Sequence, residues 1–313
     1  MADNEKWERD LITQIATAAL MEQRRARRWG IFFKLLTFGY ITLLILMAMD
    51  WKGASEGVAG GKKHTAMVEV TGTIAPGAEA SAEKVNTALQ AAFKDKNTQG
   101  VVLRINSPGG SPVQAQTIYD EMKRLRQKYP EIPLYAVVED VCASGGYFVA
   151  AGADRIYVSK SSIVGSIGVL MNGFGFTGLM DKLGIERRLI TAGDNKGMLD
   201  PFSPLEEKDK EHVKTLMADI HQQFIGVVKE GRGKRLKESP EIFSGLIWTG
   251  QKSVDLGLAD GFGSLEYVAR EVIKAEDIRD YTISEGIAEK FARRFGASLS
   301  SAFVESLLRA SIR

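Results

Sequence analysis

The residues best suited to chemistry form the segment Cys142-Ala143-Ser144-Gly145-Gly146-Tyr147, where a serine stands among small residues after an apolar run. Such a segment forms either a tight turn or a nucleophile whose neighbours leave room for a substrate and for backbone N–H donors. A serine hydroxyl is a weak nucleophile until another group removes its proton. The choice between the two interpretations therefore depends on which ionisable groups could act as a base.

Histidine is the usual base, but none stands in a glycine-rich turn. His212 and His221 project to opposite faces of one predicted helix, and His64 adjoins a glycine-rich linker. Tertiary folding could still bring one of them to Ser144. No HExxH motif, no GxxxxGK[ST] loop and no Cys/His cluster is present, so neither a metal nor a cofactor is predicted.

A lysine can replace histidine when an apolar environment keeps its amine uncharged. Lys196 is the best candidate because it lies in a segment of small residues, 191–198, whereas most other lysines fall in charged stretches. The oxyanion of an acyl transfer needs N–H groups that approach without side-chain clash. Gly109, Gly110 and Gly145 suit that role, although glycines at these positions also suit simple turns.

Short apolar strands and helices surround these residues. Strands are predicted at 66–70, 100–105, 133–138 and 154–158, and helices at 80–93, at 112–128 and from an N-cap at Ser203 to about residue 231. Because the strands are apolar throughout, they favour a largely parallel sheet covered by helices. Both glycine-rich breaks, 106–110 and 143–146, lie at strand-to-helix junctions, where parallel sheets bind ligands.

The N-terminal part has the composition of a membrane anchor. Residues 29–49 carry one charge, Lys34, and at ~1.5 Å per residue their helix would match a hydrocarbon core of ~30 Å. Four arginines within residues 24–28 place the N-terminus in the cytoplasm and the rest of the chain on the other side. A cleaved signal peptide and a buried helix are the alternatives.

The predicted organisation is a cytoplasmic amphipathic segment (1–28), a transmembrane helix (29–49), a linker (50–63), a folded domain (64–275) and a tail (276–313). The formal net charge of +2 over 313 residues predicts no nucleic-acid partner. Cys142 is the only cysteine, so an internal disulfide is impossible and a small buried filler is its expected role.

The ordered motifs resemble the signal peptide peptidase A family of bacterial membrane-bound Ser-Lys proteases. The resemblance rests on residues 100–110, 143–147 and 165–169, on Lys196, and on Trp248-Thr249-Gly250 with Gly257-Leu258. Each motif alone is weak, but their order over about residues 64–275 is specific. The resemblance implies an α/β fold of the Clp protease/crotonase type.

The same resemblance implies the roles of individual residues. It makes Ser144 the nucleophile, Lys196 the general base and Ser166 the residue that orients the lysine, with the amides of Gly109 and Gly145 facing the oxyanion. It implies peptide substrates, mainly signal peptides left in the bacterial inner membrane, which are cut on the periplasmic side. It also implies a short, single-domain form that assembles into a homo-oligomer, with an octamer expected, in which the lysine can reach the serine of a neighbouring subunit.

Two other functions are compatible with parts of the sequence. A crotonase-like acyl-CoA enzyme shares the fold and the glycine amides, but it does not explain a serine-lysine pair or a membrane anchor. A catalytically inactive membrane scaffold would not need Ser144, Lys196 and Ser166. Labelling of Ser144 by a fluorophosphonate would favour the peptidase.

Overall fold

The computed structural model describes residues 62–284 and, nearer the N-terminus, residues 17, 21–25 and 27–43. The chain divides into two compact units, residues 1–61 and 62–313. Much of the predicted N-terminal segment (1–28), linker (50–63) and tail (276–313) lies outside the described residues, so the boundaries of these segments stay predictions.

Helix α1 covers the described residues 21–25 and 27–43 of the first unit. The hydroxyls of Thr37 and Thr42 donate to the carbonyls of Phe33 and Phe38, one turn earlier, at 2.8 Å each. Among the residues described, no helix has the length and apolarity needed to cross a membrane. The predicted span 29–49 is thus not supported in its described part, and residues 44–49 lie outside the description.

The second unit is built on one sheet with helices on its faces. Its strands are β1 (His64–Thr71), β2 (Thr98–Ser107), β3 (Leu134–Ala143), β4 (Arg155–Val158), β5 (Ile163–Gly165), β6 (Ile247–Thr249), β7 (Gly261–Phe262) and β8 (Ile278–Asp280). The strand order is β6-β5-β3-β2-β1-β8, while β4 pairs with β3 and with β7. Only the β5–β6 pair is antiparallel among the described strands, which confirms the prediction of a largely parallel sheet.

The helices of this unit fill the connections between strands. They are α2 (Ala82–Lys94), α3 (Pro112–Lys128), α4 (Gly145–Ala150), α5 (Thr177–Leu183), α6 (Glu207–Arg232), α7 (Gly250–Asp255) and α8 (Leu265–Tyr267), which continues as a π-helix over Val268–Ile273. Helix α3 has the predicted bounds because its start is encoded locally. Ser111 caps it by accepting from the Gln114 N–H, and Pro112 occupies the first turn, where no N–H is needed.

Both faces of the sheet are buried, which explains the unbroken apolar strands. Successive residues of β2 point to opposite faces. Val101 and Leu103 belong to the larger hydrophobic cluster, which includes residues of α2, α3 and α4, whereas Val102 belongs to a smaller cluster with Val268. All three side chains are fully buried.

Helix α6 begins about one turn later than the sequence predicted. The predicted N-cap, Ser203, instead donates its hydroxyl to the carboxylate of Asp200 at 2.7 Å. Its N–H also donates to the Asp200 carbonyl, so Ser203 closes a turn before the helix. Glu206 is the N-cap, and the predicted start at Ser203 is wrong.

Strand β3 changes its neighbour along its length. Residues 135–137 pair with β4, whereas residues 141–143 pair with β5. Between them the register with β2 shifts and β3 bulges at residues 139–141. The Ser162 hydroxyl donates to the Glu139 carbonyl, and the Val141 N–H donates to the Asn106 side chain. The bulge directs the end of β3 toward β5, and the residue after that end is Ser144.

Candidate active site

Ser144 occupies a strained turn between β3 and α4. It follows Ala143 directly and has φ 52° and ψ −124°, a conformation that non-glycine residues rarely adopt. Its N–H donates to the carbonyl of Gly165 at 2.8 Å, at the end of β5. A strained serine between a strand and a helix is the arrangement in which the nucleophile of α/β-hydrolases presents its hydroxyl.

The glycine-rich loop after β2, residues 108–111, lies against this turn. A Cβ on Gly109 would stand 2.6 Å from the Gly145 nitrogen and 2.7 Å from the Ser144 Cβ. A Cβ on Gly110 would stand 2.2 Å from the carbonyl oxygen of Ile74, and both glycines have positive φ, 101° and 150°. Only glycine therefore allows the loop backbone to approach the serine turn this closely.

Hydrogen bonds fix the direction of the amides in this loop. The Gly109 N–H donates to the Ser107 hydroxyl at 3.1 Å, and the Gly109 carbonyl accepts from the Ile74 N–H at 2.9 Å. Because C=O and N–H point in opposite directions across a trans peptide, the Gly110 N–H points away from Ile74. A Cβ on Gly145 would lie 3.2 Å from that Gly110 nitrogen. No acceptor within residues 62–284 engages the Gly110 N–H, so Gly110, and not Gly109, offers a free amide beside Gly145.

Ser166 follows β5 and, like Ser144, is a non-glycine residue with a positive φ. Its φ is also 52°, and its N–H donates to the Leu246 carbonyl at 2.8 Å. Since the Ser144 N–H donates to Gly165, the structure brings the backbones of the two serines together at the ends of adjacent strands.

Two side chains that were not among the predicted site residues, Trp248 and His221, border the Ser166 segment. Trp248 on β6 packs on Gly165, where a Cβ would lie 3.0 Å from the indole Cδ1. His221 on α6 places its Nε2 3.2 Å from the carbonyl oxygen of Ile167. A histidine thus contacts the residue that follows Ser166. No local pattern of the sequence could indicate this contact, because the two residues are far apart in the chain.

Lys196 lies in an exposed turn, where its N–H donates to the Gly193 carbonyl at 3.1 Å. The hydrogen bonds described for residues 62–284 do not join it to Ser144 or to Ser166. The segment around it, residues 170–205, exposes many large apolar side chains: Leu170, Met171, Phe174, Leu179, Leu183, Ile185, Ile190 and Leu205. An apolar surface of this extent typically marks a contact surface.

Comparisons of the sequence with known proteins identify the family of this chain. The model of peptidase family S49 matches residues 126–279, and the Clp protease model matches residues 65–164. A relative from Enterococcus faecium, named for signal peptide peptidase SppA, is 31% identical over 231 residues, which are 71% of this chain and 67% of that protein. A relative from Synechocystis, named a protease, is 33% identical over 205 residues, which are 66% of this chain and 72% of that protein.

This chain belongs to peptidase family S49. The resemblance to the signal peptide peptidase A family of serine peptidases is thereby confirmed, and so is the fold of the Clp protease type. The S49 match ends at residue 279, close to the end of β8, and the Clp protease match covers β1 to β5. The two matches together include every predicted site residue.

Other relatives share only part of their length with this S49 member. The Na(+)/H(+) antiporter NhaA of Brucella abortus is 47% identical over 183 residues, which are 58% of this chain but 25% of that protein. The chain thus spans about a quarter of that relative, and ion exchange is a property named for the longer protein alone.

Two ionisable side chains near Ser144 in the sequence, Cys142 and Tyr147, are fully buried. Burial raises the pKa of the Cys142 thiol, so the thiol stays protonated. Burial also raises the pKa of Tyr147, whose hydroxyl donates to the Leu258 carbonyl at 2.8 Å. Both side chains pack in the interior of the second unit.

Proposed function

We propose that this chain is a membrane-anchored serine endopeptidase that cleaves hydrophobic peptides, including signal peptides left in the membrane. The observation that carries the proposal is the strained Ser144 turn, which lies beside the free Gly110 amide and the Gly145 amide. Membership of family S49 supports peptide-bond hydrolysis as the reaction.

The proposed reaction begins when the Ser144 hydroxyl attacks the peptide carbonyl and transfers its proton to the amine of Lys196. The carbonyl electron pair moves onto oxygen, where the amides of Gly110 and Gly145 donate to it. Collapse of this intermediate breaks the C–N bond, and the amine leaves with the proton from Lys196. Lys196 then takes a proton from water as the water oxygen attacks the acyl carbon, and it returns that proton to the Ser144 oxygen when the ester bond breaks. Ser166 orients the lysine throughout.

We assign the base to Lys196 of a second copy of the chain. Lys196 is exposed and is not joined to Ser144 by any described hydrogen bond, although the reaction needs the two groups in contact. The apolar side chains at 170–205 would be buried if this segment packed on a neighbouring subunit. A homo-oligomer, with an octamer expected, therefore forms part of the proposal.

The substrate class and the location also belong to the proposal. An anchor at residues 29–49 would hold the peptidase domain at the periplasmic face of the bacterial inner membrane. Substrates that also reside in that membrane would then reach the site by diffusion in two dimensions. This arrangement suits hydrophobic peptides better than soluble proteins.

The test uses the full chain in detergent and a fluorogenic hydrophobic peptide. Ser144→Ala and Lys196→Ala should each abolish cleavage while thermal unfolding stays as in the wild type. A fluorophosphonate should label the wild type at Ser144 but not Ser144→Ala, which separates a peptidase from a crotonase-like enzyme or an inactive scaffold. Full activity in either variant would reject the dyad.

A further inference from the structure

Ser107 carries a buried hydroxyl at the base of the glycine-rich loop. The proposed reaction does not use this hydroxyl. Its side chain donates to the Gly72 carbonyl at 2.6 Å and accepts from the Gly109 N–H at 3.1 Å. The residue is fully buried. One hydroxyl therefore joins the chain after β1 to the loop after β2.

The same loop is held from its other side by Ile74. The Ile74 N–H donates to the Gly109 carbonyl at 2.9 Å, and the Ile74 carbonyl accepts from the Ser111 N–H at 2.8 Å. Ser107 thus fixes the peptide before Gly109, and Ile74 fixes the peptide after it. That second peptide carries the Gly110 N–H. Because glycine has soft dihedral angles, both attachments are needed to hold its direction.

Ser107 also contacts the helix that carries the second amide. A Cβ on Gly146 would lie 2.9 Å from the Ser107 carbonyl oxygen and 3.3 Å from the Ser107 Cβ. Ser107 therefore touches Gly146 on one side and binds Gly109 on the other. Gly145 and Gly110, the neighbours of these two residues, carry the amides assigned to the oxyanion.

We propose that Ser107 is a positioning residue that sets the direction of the Gly110 amide relative to the Gly145 amide. The inference rests on the proposed function. Ser107 touches no substrate, and it acts through the Gly109 peptide. Its contribution appears when negative charge develops on the carbonyl oxygen, because only then do the two amides bind more strongly.

The test is Ser107→Ala in the full-length protein. Misdirecting an amide should lower kcat for the fluorogenic peptide by about 10- to 100-fold, while KM changes little. Affinity for a peptide aldehyde should fall by a similar factor, since its adduct with Ser144 places an oxygen between the two amides. A purely structural role would not move the aldehyde affinity together with kcat.

Two further variants keep the test decisive. Ser107→Cys retains a weaker donor and acceptor and should lose less activity than Ser107→Ala. Ser253→Ala removes an equally buried hydroxyl, which donates to the Gly250 carbonyl at 2.8 Å, and should leave kcat and aldehyde affinity unchanged. Wild-type kcat in Ser107→Ala, or a loss confined to thermal stability, overturns the positioning role. Activity in Ser144→Ala would instead overturn the proposed function.

Discussion

Ser144 and Ser166 each follow a strand with φ 52°, and each is held there by a hydrogen bond from its own N–H. A strained backbone of this kind costs about 1–3 kcal/mol and persists only where the surroundings enforce it. Here the carbonyls of Gly165 and Leu246 enforce it through the neighbouring strands β5 and β6. The ends of three strands thus determine how two serines face the candidate site.

His221 offers a direct test of which residue acts as the base. Its Nε2 lies 3.2 Å from the Ile167 carbonyl oxygen, so as a donor it stabilises the segment after Ser166. His221→Gln keeps an N–H donor and should therefore retain most of the wild-type kcat, whereas Lys196→Ala should retain none. Steady-state kinetics with the fluorogenic peptide measure kcat for both variants. Equal and complete inactivation of both would favour a histidine base.

The α/β class and the strands β1 to β4 followed from local sequence, but the order of the strands in the sheet and the connections at the site did not. Strand β2 and helix α3 were predicted because apolar runs, Ser111 and Pro112 encode them locally. The bulge at 139–141 depends on contacts with Ser162 and Asn106, which are distant in sequence. The direction of the Gly109 amide likewise depends on a side chain whose burial no periodicity reveals.

The junction of α6 with β4 and β7 contains a buried ion pair, and the half-exposed Arg235 also contacts its carboxylate at 3.0 Å. The Arg232 side chain is fully buried and lies 2.8 Å from the Asp260 carboxylate, which also accepts from the Ile156 N–H at 2.7 Å. Burial raises the pKa of Asp260, but the hydrogen bond and charge of Arg232, the Ile156 N–H and the charge of Arg235 together outweigh it, so the net pKa lies below the usual 3.8. Asp260 therefore stabilises the fold in its charged form.

Asp260→Asn should lower the free energy of unfolding by about 3–5 kcal/mol at neutral pH, because it leaves Arg232 buried without a counter-charge. Asp154→Asn is the control, because Asp154 forms a half-exposed ion pair with Arg126. It should lower the free energy of unfolding by about 1 kcal/mol or less. The contribution of Asp260 is complete above about pH 4 and is lost as the pH falls through its lowered pKa. Urea unfolding of both variants at neutral and acidic pH measures this. If the free energies of unfolding of the wild type and Asp260→Asn differ by as much at acidic pH as at neutral pH, this role of Asp260 is contradicted.

Within the described residues, the segment 170–205, which carries Lys196, leaves large apolar side chains exposed. Ile190 is 95% exposed, Phe174 83% and Leu170 80%, although all three are large apolar side chains. At ~25 cal/mol per Å², covering such side chains provides a substantial driving force for association. A second copy of the chain would cover them and could bring Lys196 to a neighbouring Ser144.

Mixing two inactive variants tests this arrangement. In an assembly whose sites each combine Ser144 of one subunit with Lys196 of the next, a random equal mixture of Ser144→Ala and Lys196→Ala chains restores about a quarter of the sites. Co-expression of the two variants, followed by peptide cleavage and light scattering in detergent, measures the recovery and the assembly size. Ile190→Asp on both chains is the control, because a charge in the contact should dissociate the assembly and abolish recovery. Complete inactivity of a fully assembled mixture would place both groups of each site in one chain, and the exposed segment would then serve association alone.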